Sequence, residues 1–213
     1  MRIVRNLLAL VGALTLVAVG AAILLFEPYV NKARSLDPSA LAVYADMART
    51  VLFTGDAMQA LVHQRRVPAG RTVSDVENSL AQAAAERGLH ALGVVSVHRE
   101  ILDQTGQEFP YLQVHLFCDP ALAADLMRHN PAMASFLPCR VIVFEDPRGG
   151  LSVMTPNLDL VLHGGHPLPV ILQERAAGLQ SLLREIVDHA AGVERPHGPE
   201  AFRSAPIAAG SER

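Results

Sequence analysis

The sequence predicts a two-layer α+β sandwich preceded by one N-terminal transmembrane helix. Three observations predict it. A charge-free apolar run stands near the N-terminus, and half of the 213 residues are hydrophobic, which suffices for the core of one domain. The remaining chain orders its elements as helix, strand, strand, helix, strand, strand, helix. Because a doubly wound parallel fold would alternate single strands and helices, this order favours one sheet with helices packed on one face.

The apolar run begins at Leu7 and ends at Phe26, so that twenty residues pass without a charge. As a helix it would be about 30 Å long, which matches the hydrocarbon core of a bilayer. Arg2 and Arg5 precede it, although basic residues just beyond residue 30 nearly balance the count. The basic start favours a cytoplasmic N-terminus, and therefore a globular domain on the periplasmic side of a bacterial inner membrane.

A cleaved secretory signal is the alternative interpretation of this run, since it also has a basic start and an apolar core. Its core is usually only ~7–15 residues long and ends in a small-residue cleavage site. Large apolar residues occupy positions 23–26, where that site would stand. The sequence therefore favours an uncleaved anchor over residues 1–34, and both interpretations place the domain outside the cytoplasm.

Residues 35–71 are predicted to form an amphipathic helical segment and a linker. Apolar residues recur at three- or four-residue steps through much of residues 37–63, with a break near residue 55. This apolar face could pack on the domain, lie on the membrane surface or pair with a second copy, and packing on the domain is favoured. The basic residues 64–66 are interpreted as a solvated helix end, and residues 67–71 as the linker.

The α+β domain is predicted over residues 72–191 and begins with a capped helix. Thr72 is a good N-cap, and Asp75 follows three residues later, ahead of an apolar helical face. Beyond that helix, residues 89–97 are rich in β-branched and apolar side chains, and residues 111–118 alternate in polarity. Both segments are predicted strands.

A second helix is predicted to begin at Asp119, because aspartate is a good N-cap and the proline that follows fits the first helical position. Residues 140–145 and 151–155 form the clearest predicted hairpin, across a turn rich in proline and glycine. Helical spacing then recurs over residues 172–186. The tail, residues 192–213, has no periodic apolar face and is predicted to be disordered.

Two stretches flank this second helix: residues 117–123, with the sequence FCDPALA, and residues 137–146, with the sequence LPCRVIVFED. They resemble the signature of the bacterial and archaeal family called domain of unknown function 302, and the likeness extends over about residues 72–162. The resemblance implies a compact two-layer domain that can form homodimers, and it implies no established activity. The shortest members of the family lack the anchor, the segment before residue 72 and the polar tail. Cytoplasmic behaviour of those members therefore does not carry over to this chain.

The two cysteines have three interpretations. Cys118 ends one predicted strand and Cys139 begins another. If the strands are antiparallel, the sulfurs could approach and form a disulfide or redox pair in an oxidising periplasm. Alternatively they share a metal with a histidine, since thiolate and imidazole suit zinc or copper. Free cysteine is among the most buried residue types, so two buried apolar side chains are the favoured interpretation.

Two further pairs are candidate ligand groups. His163 and His166 flank two glycines on a predicted loop that could wrap around a metal ion, although such histidines are more often plain turn residues. Asp119 and Arg140 stand beside the two signature stretches. If their end of the sheet forms a pocket, these are the polar groups expected to contact a ligand; otherwise Asp119 is an N-cap and Arg140 an ion-pair partner.

Charge and motifs narrow the functional classes. A net charge of −3 without a basic stripe argues against nucleic acid as a partner. Phosphate-binding loops, dinucleotide fingerprints, nucleophile elbows and His-Glu-x-x-His motifs are missing. The sequence therefore favours a membrane-anchored periplasmic binding or interaction module rather than an enzyme, with ligand and cofactor unknown. The alternative is a thiol-redox or metal-handling protein that uses Cys118 and Cys139.

Overall fold

The computed structural model describes residues 2–146 and 148–193, and it confirms the α+β class. Five antiparallel strands form one sheet in the order β1-β5-β4-β3-β2. The strands are β1 (Val62–Arg66), β2 (His90–Ser96), β3 (Leu112–Cys118), β4 (Cys139–Glu145) and β5 (Leu151–Pro156). The predicted tail falls outside the described residues from residue 194 onward.

The helices form a second layer and an N-terminal extension. They are α1 (Arg2–Arg34), α2 (Ala40–Thr54), α3 (Val73–Glu86), α4 (Val97–Thr105), α5 (Pro120–His129), α6 (Asp159–His163) and α7 (Val170–Ala190), with 3₁₀ turns at Ala57–Leu61 and Pro131–Phe136. α3 and α5 both pack against α7, and α7 contacts β1 and β5. This layer closes the hydrophobic core.

Local capping confirms two of the predicted helix starts. At α3, the Thr72 side chain accepts a hydrogen bond from the Asp75 amide, and the Asp75 carboxylate accepts one from the Thr72 amide. At α5, Asp119 Oδ1 accepts from the Leu122 amide at 2.9 Å. The predicted hairpin is also confirmed, as the antiparallel pair β4 and β5. These features depend on neighbouring residues alone, which is why the sequence indicates them.

Side chains that reach α3 and α7 identify one face of the sheet, which we call the covered face. His63 and Arg65 on β1 contact Asp188 of α7, and His115 on β3 faces Glu77 of α3. The strand register places the buried core side chains on this same face: Phe117, Cys139, Val141, Val143, Val153 and Thr155. The helices therefore cover one face of the sheet, as predicted.

The opposite face, which we call the open face, is also apolar. Successive residues of a strand point to opposite faces, so the open face carries the half-buried side chains Leu112, Val114, Leu116, Ile142, Phe144 and Met154. The side chains of α3 and α7 that identify the covered face contact the other side of the sheet. An apolar surface of this kind on an antiparallel sheet is typical of a contact surface rather than of a solvated face.

Two local predictions are wrong. Residues 64–66, interpreted as a solvated helix end, belong to strand β1, which pairs with β5 at the edge of the sheet. In this strand His63 and Arg65 point to the covered face, and Gln64 and Arg66 point to the other. Five residues are too few to display this two-residue period clearly in the sequence. Helix α4 was not predicted: it connects β2 and β3, where the sequence indicated strands alone.

Candidate functional site

The two ends of the sheet carry different groups of polar side chains. At the anchor end, β5 finishes at Pro156 and the loop between α6 and α7 meets residues 35–37, which follow α1. At the turn end, residues 146–150 connect β4 to β5. Candidate functional groups occur at both ends, and a third group lies on the covered face.

Asp37 organises the anchor end. Its side chain is 3% exposed, and its oxygens lie 2.7 Å from the Ser39 amide, 3.2 Å from His163 Nδ1 and 3.2 Å from Gln173 Nε2. The Asp37 amide donates to the Gly165 carbonyl at 2.9 Å. We call this arrangement the clamp. It attaches the segment after α1 to the loop that precedes α7.

The clamp also sets the protonation of Asp37. The hydrogen bond from the Ser39 amide lowers the pKa of the Asp37 carboxyl more than burial raises it, and His163 lowers it further. The carboxylate therefore stays ionised in the folded protein. A buried charge of this kind is stable only while its hydrogen-bond partners remain in place.

Both candidate metal-binding histidines contact the segment after α1. His163 lies beside Asp37, and His166 Nδ1 donates to the Ser35 carbonyl at 3.0 Å. Among the described residues there is no cluster of three His, Cys, Asp or Glu side chains that could hold a metal ion. The arrangement gives the two imidazoles a structural use, and their role as metal ligands stays a prediction.

The two cysteines lie on adjacent strands but on opposite faces. Phe117 pairs directly with Cys139, so both point to the covered face, whereas Cys118 points to the open face. Both thiols are free. Side chains that point apart cannot be bridged without movement of the backbone. Burial raises the pKa of the Cys118 thiol, and burial with the neighbouring Cys118 raises that of Cys139 to about 11.

Asp119 and Arg140 lie at the anchor end, next to the two cysteines. Asp119 caps α5, and the carboxylate oxygen that accepts from Leu122 is thereby used in the fold. Arg140 pairs with Leu116 across the sheet and is half-buried on the open face. The structure therefore brings the predicted pair to the same end of the sheet, and its contact with a ligand stays a prediction.

A cleft of about 600 Å³ opens at the turn end, between residues 66–71 and residues 148–151. Three arginines line it. Arg66 Nη2 lies 2.8 Å from Asp146 Oδ2, and Arg71 Nη2 donates to the Ser79 hydroxyl at 2.7 Å. The third, Arg148, is exposed. This basic cleft joins residues far apart in the chain, and no sequence spacing indicates it.

Glycines allow two of these arginines to pack closely. A Cβ on Gly150 would stand 2.6 Å from Arg66 Nη2 and 2.7 Å from Asp146 Oδ2. A Cβ on Gly192 would stand 2.5 Å from Arg71 Nη1. All three distances are far below van der Waals contact, so any larger residue at either position would displace a guanidinium. The positions of the arginines therefore depend on glycine at 150 and 192.

Asp146 holds the turn that carries Arg148. Its Oδ1 accepts hydrogen bonds from the Arg148 amide at 2.8 Å and the Gly150 amide at 2.9 Å. The bond from the Gly150 amide is the main reason that the pKa of Asp146 is lowered. An aspartate that accepts bonds from the following backbone is a common turn device, and here it leaves its other oxygen for Arg66.

A third polar group lies on the covered face between α3 and β3. The Tyr111 hydroxyl donates to Glu77 Oε1 and lies 2.5 Å from Gln113 Oε1, and His115 Nε2 is 3.6 Å from Glu77 Oε1. Burial lowers the pKa of His115 and raises that of Tyr111. The cluster connects the helix to the strand with a neutral imidazole. The two-residue spacing of Tyr111, Gln113 and His115 was the sequence signal for this cluster. Tyr111 and Glu77 were not among the predicted site residues.

These features define a class of protein: a single-sheet α+β domain attached to an apolar N-terminal helix. The buried charge at its anchor end is paired, and its turn end carries the basic cleft. The family model described as "Domain of unknown function DUF302" matches residues 63–189, more than half of the chain, and the chain belongs to that family. The predicted resemblance is therefore confirmed, and the match extends from β1 to α7.

A solved relative shows the same fold. It is the crystal structure of the uncharacterized conserved protein DUF302 from Bacillus stearothermophilus, with 21% sequence identity and a TM-score of 0.50. The similarity covers 61% of this chain and 98% of that one. Comparison with curated proteins gives no match. The relatives thus establish the fold and leave the function to the chemistry of the site.

Proposed function

We propose that this chain is a membrane-anchored periplasmic binding module that takes an anionic ligand in the basic cleft and acts by binding rather than catalysis. Arg71 and Arg148 carry the proposal. Among the described residues, no carboxylate oxygen lies within 4.0 Å of either guanidinium, whereas Arg66 is paired with Asp146. The charge of Arg71 helps to lower the pKa of the nearby Asp75, but its guanidinium makes no direct ion pair among the described residues. Guanidinium binds phosphate or carboxylate groups through paired hydrogen bonds.

The anchoring half of the proposal rests on α1. Its segment Leu10–Glu27 is long and apolar enough to cross a membrane, a property shared by signal sequences. The basic N-terminal tail supports a helix that starts in the cytoplasm and ends in the periplasm. The clamp between the segment after α1 and the domain supports a helix that is retained rather than cleaved. The N-terminal sequence of the mature membrane-bound protein tests this: an intact residue 1–34 segment supports the anchor, and its absence indicates a cleaved signal.

Calorimetric titration of the detergent-solubilised full chain with pyrophosphate, at low salt, tests the cleft. We expect the double variant Arg71→Gln, Arg148→Gln to bind about 10- to 100-fold more weakly, because it loses at least one charge-assisted hydrogen bond worth ~1.5–3 kcal/mol. Arg128→Gln is the matched control: Arg128 is exposed and lies outside the cleft, on α5. Equal affinity in all three proteins, or no binding by the unmodified chain, would refute the cleft as the site.

The thiol-redox alternative receives less support from the geometry. A reactive cysteine needs a lowered pKa and access to solvent, because the thiolate is the nucleophile. Here the pKa of both thiols is raised, and the two side chains point to opposite faces of the sheet. A thiol count with and without denaturant, with metal analysis, separates the alternatives: reaction of Cys139 only on unfolding supports packing, and two unreactive thiols in the unfolded, metal-free chain indicate a disulfide.

We also propose that the homodimer implied by the family resemblance forms through the open face, whose half-buried apolar side chains include Ile142 and Met154. Apolar surface of this extent on one sheet face favours association over exposure to water. Light scattering of the solubilised chain tests it. We expect a dimer that Ile142→Glu converts to a monomer, while Arg128→Gln leaves it intact; a monomeric parent chain contradicts the proposal.

A further inference from the structure

Helix α2 has one side packed on the domain and an apolar stripe on the opposite side. Val43 and Met47 face the domain across a cavity of about 240 Å³ that α6 also lines. On the opposite side, Leu41 is 78% exposed and Leu52 is 85% exposed. Ala45 and Ala48 are exposed between them, and steps of four, three and four residues place all of these on one line of the helix. The domain therefore leaves this stripe uncovered.

Further apolar side chains widen this surface. Phe53 is 80% exposed and Met58, in the following 3₁₀ turn, is 62% exposed. Scattered exposed leucines are ordinary on soluble proteins, but large apolar side chains repeated along one helix indicate a contact surface. Val170 and Ile171, at the start of α7 next to the clamp, are also more than two-thirds exposed.

The comparisons place α2 outside the domain shared by the family. The family match begins at residue 63, after α2, and the solved relative is covered almost completely by 61% of this chain. The family core is therefore complete without α2. This helix belongs, with α1, to the segment that distinguishes this chain from its shorter relatives.

The chain holds α2 close to the end of α1. Only residues 35–39 separate Arg34 from Ala40, a tether of roughly 20 Å at full extension. The clamp restricts this tether further, because Asp37 is bound to the α6–α7 loop. The Tyr44 hydroxyl also donates to the Gly164 carbonyl of that loop, at 2.5 Å. If α1 crosses the membrane, α2 starts within reach of the bilayer surface.

We propose that the α2 stripe lies in the phospholipid surface of the same membrane, so that the domain rests on the bilayer through a second, interfacial helix. The inference rests on the membrane anchor proposed above. An interfacial helix buries its apolar side ~5–10 Å into the boundary between headgroups and acyl chains. Lys32 and Arg34, at the end of α1, and Arg49, on α2, are placed to meet anionic headgroups. Continuity with the anchor favours lipid over a second copy of the chain.

Single tryptophans test this placement, because the natural sequence contains none. Three variants of the full chain are reconstituted into phosphatidylethanolamine–phosphatidylglycerol vesicles: Leu52→Trp on the stripe, Leu16→Trp in α1, and Phe109→Trp as the control. Phe109 is 49% exposed and precedes β3 at the turn end. All three replace exposed apolar residues, so the fold is expected to persist. Lipids brominated near the headgroup or deep in the acyl chain then report contact by quenching.

We expect the emission of Leu52→Trp to shift to shorter wavelength and to be quenched by shallow bromines, Leu16→Trp to be quenched by deep bromines, and Phe109→Trp to remain unquenched. Quenching of Leu16→Trp without quenching of Leu52→Trp overturns the inference and leaves the anchor intact. Absence of quenching in both refutes the anchor itself. A blue shift of Leu52→Trp that vanishes as protein is diluted into excess lipid indicates a second copy on the stripe, and also overturns the inference.

Discussion

The anchor end and the turn end of the sheet both carry charged side chains, but the charge is buried and paired at the anchor end and lies in an open cleft at the turn end. At the anchor end, Asp37 is inaccessible to solvent and its carboxylate lies within hydrogen-bond distance of Ser39, His163 and Gln173. At the turn end, Arg71 and Arg148 lie in an open cleft, and in the described part of the chain no carboxylate oxygen is within 4.0 Å of either guanidinium. The difference separates a charge used for attachment from charges that we propose bind a ligand.

Burial explains this division. A buried ionised group is expensive unless it is paired, so the Asp37 clamp is complete in itself and removal of its carboxylate leaves buried partners unsatisfied. An exposed guanidinium is hydrated and needs no partner, so the absence of an ion pair to Arg148 from the residues that the structure describes costs little stability. Mutations should therefore affect stability at the anchor end and affinity at the turn end.

The largest effect is expected for Asp37→Ala. The substitution leaves the amide of Ser39 and the side chains of His163 and Gln173 without their acceptor, at a cost of about 1–3 kcal/mol for each group that stays buried and unsatisfied. Urea unfolding of the solubilised full chain measures the loss. Asp103→Ala, at an exposed position of α4, is the control and should change stability by less than about 0.5 kcal/mol. Equal effects would show that the clamp does not stabilise the protein.

Acid should open the clamp. Because the folded pKa of Asp37 is lowered, the stability it contributes is present above its unfolded value, about 4, and is lost as pH falls through the lower folded value. Other carboxylates titrate in the same window, so the comparison is with Asp37→Asn. The protection factor of the Ser39 amide, its exchange rate in the unstructured chain divided by that in the folded protein at the same pH, should fall below about pH 4 in the natural chain. The side chain of Asp37→Asn does not titrate, so its protection factor should change less with acid, and an unchanged protection factor in the natural chain would contradict the assignment.

Salt should distinguish the two ends. As ionic strength rises from about 0.1 M to about 1 M, the Debye length falls from ~10 Å to ~3 Å, which screens exposed charges much more than buried ones. Pyrophosphate affinity at the turn end should decrease, whereas the stability difference between the natural chain and Asp37→Ala should change little. Titration and urea unfolding at both salt concentrations measure this, and salt-independent pyrophosphate affinity would argue against the arginine cleft.

The smallest effect is expected for Gly150→Ala. The added Cβ would press on the Arg66 guanidinium and on the Asp146 carboxylate, and Arg66 can move because its side chain is flexible and 68% exposed. We expect a few-fold loss of pyrophosphate affinity with little change in unfolding. Gly165→Ala is the matched control, since a Cβ there meets no atom within 4 Å. A larger loss of affinity in Gly165→Ala than in Gly150→Ala would place the site elsewhere.

Features that depend on neighbours in the chain were predictable from the sequence. The α3 capping pair Thr72 and Asp75, the Asp119 cap and the β4–β5 hairpin follow from residues within a few positions of one another, and all are observed. Strand β1 was not predicted, because its strand character comes from pairing with β5, about ninety residues away. For the same reason residues 64–66 were interpreted as a helix end.

The same limit of prediction from sequence applies to the candidate site. Sequence analysis selected cysteines and histidines because their chemistry is distinctive, but it could not place Cys118 and Cys139 on opposite faces of the sheet, or bring His163 to Asp37. It also passed over the arginines of the basic cleft. Arginines are common surface residues, and their number in one place becomes visible only when two distant loops meet.

The sequence by itself determined the α+β class, the family and the apolar N-terminal helix, because each of these is encoded in local periodicity, capping or a contiguous motif. The tertiary structure alone decided which face of the sheet is covered, which charges are paired, and where Arg66, Arg71 and Arg148 converge. Pairing and exposure are properties of distances between residues remote in the chain, and those distances are set by strand register and helix packing rather than by any neighbour in sequence.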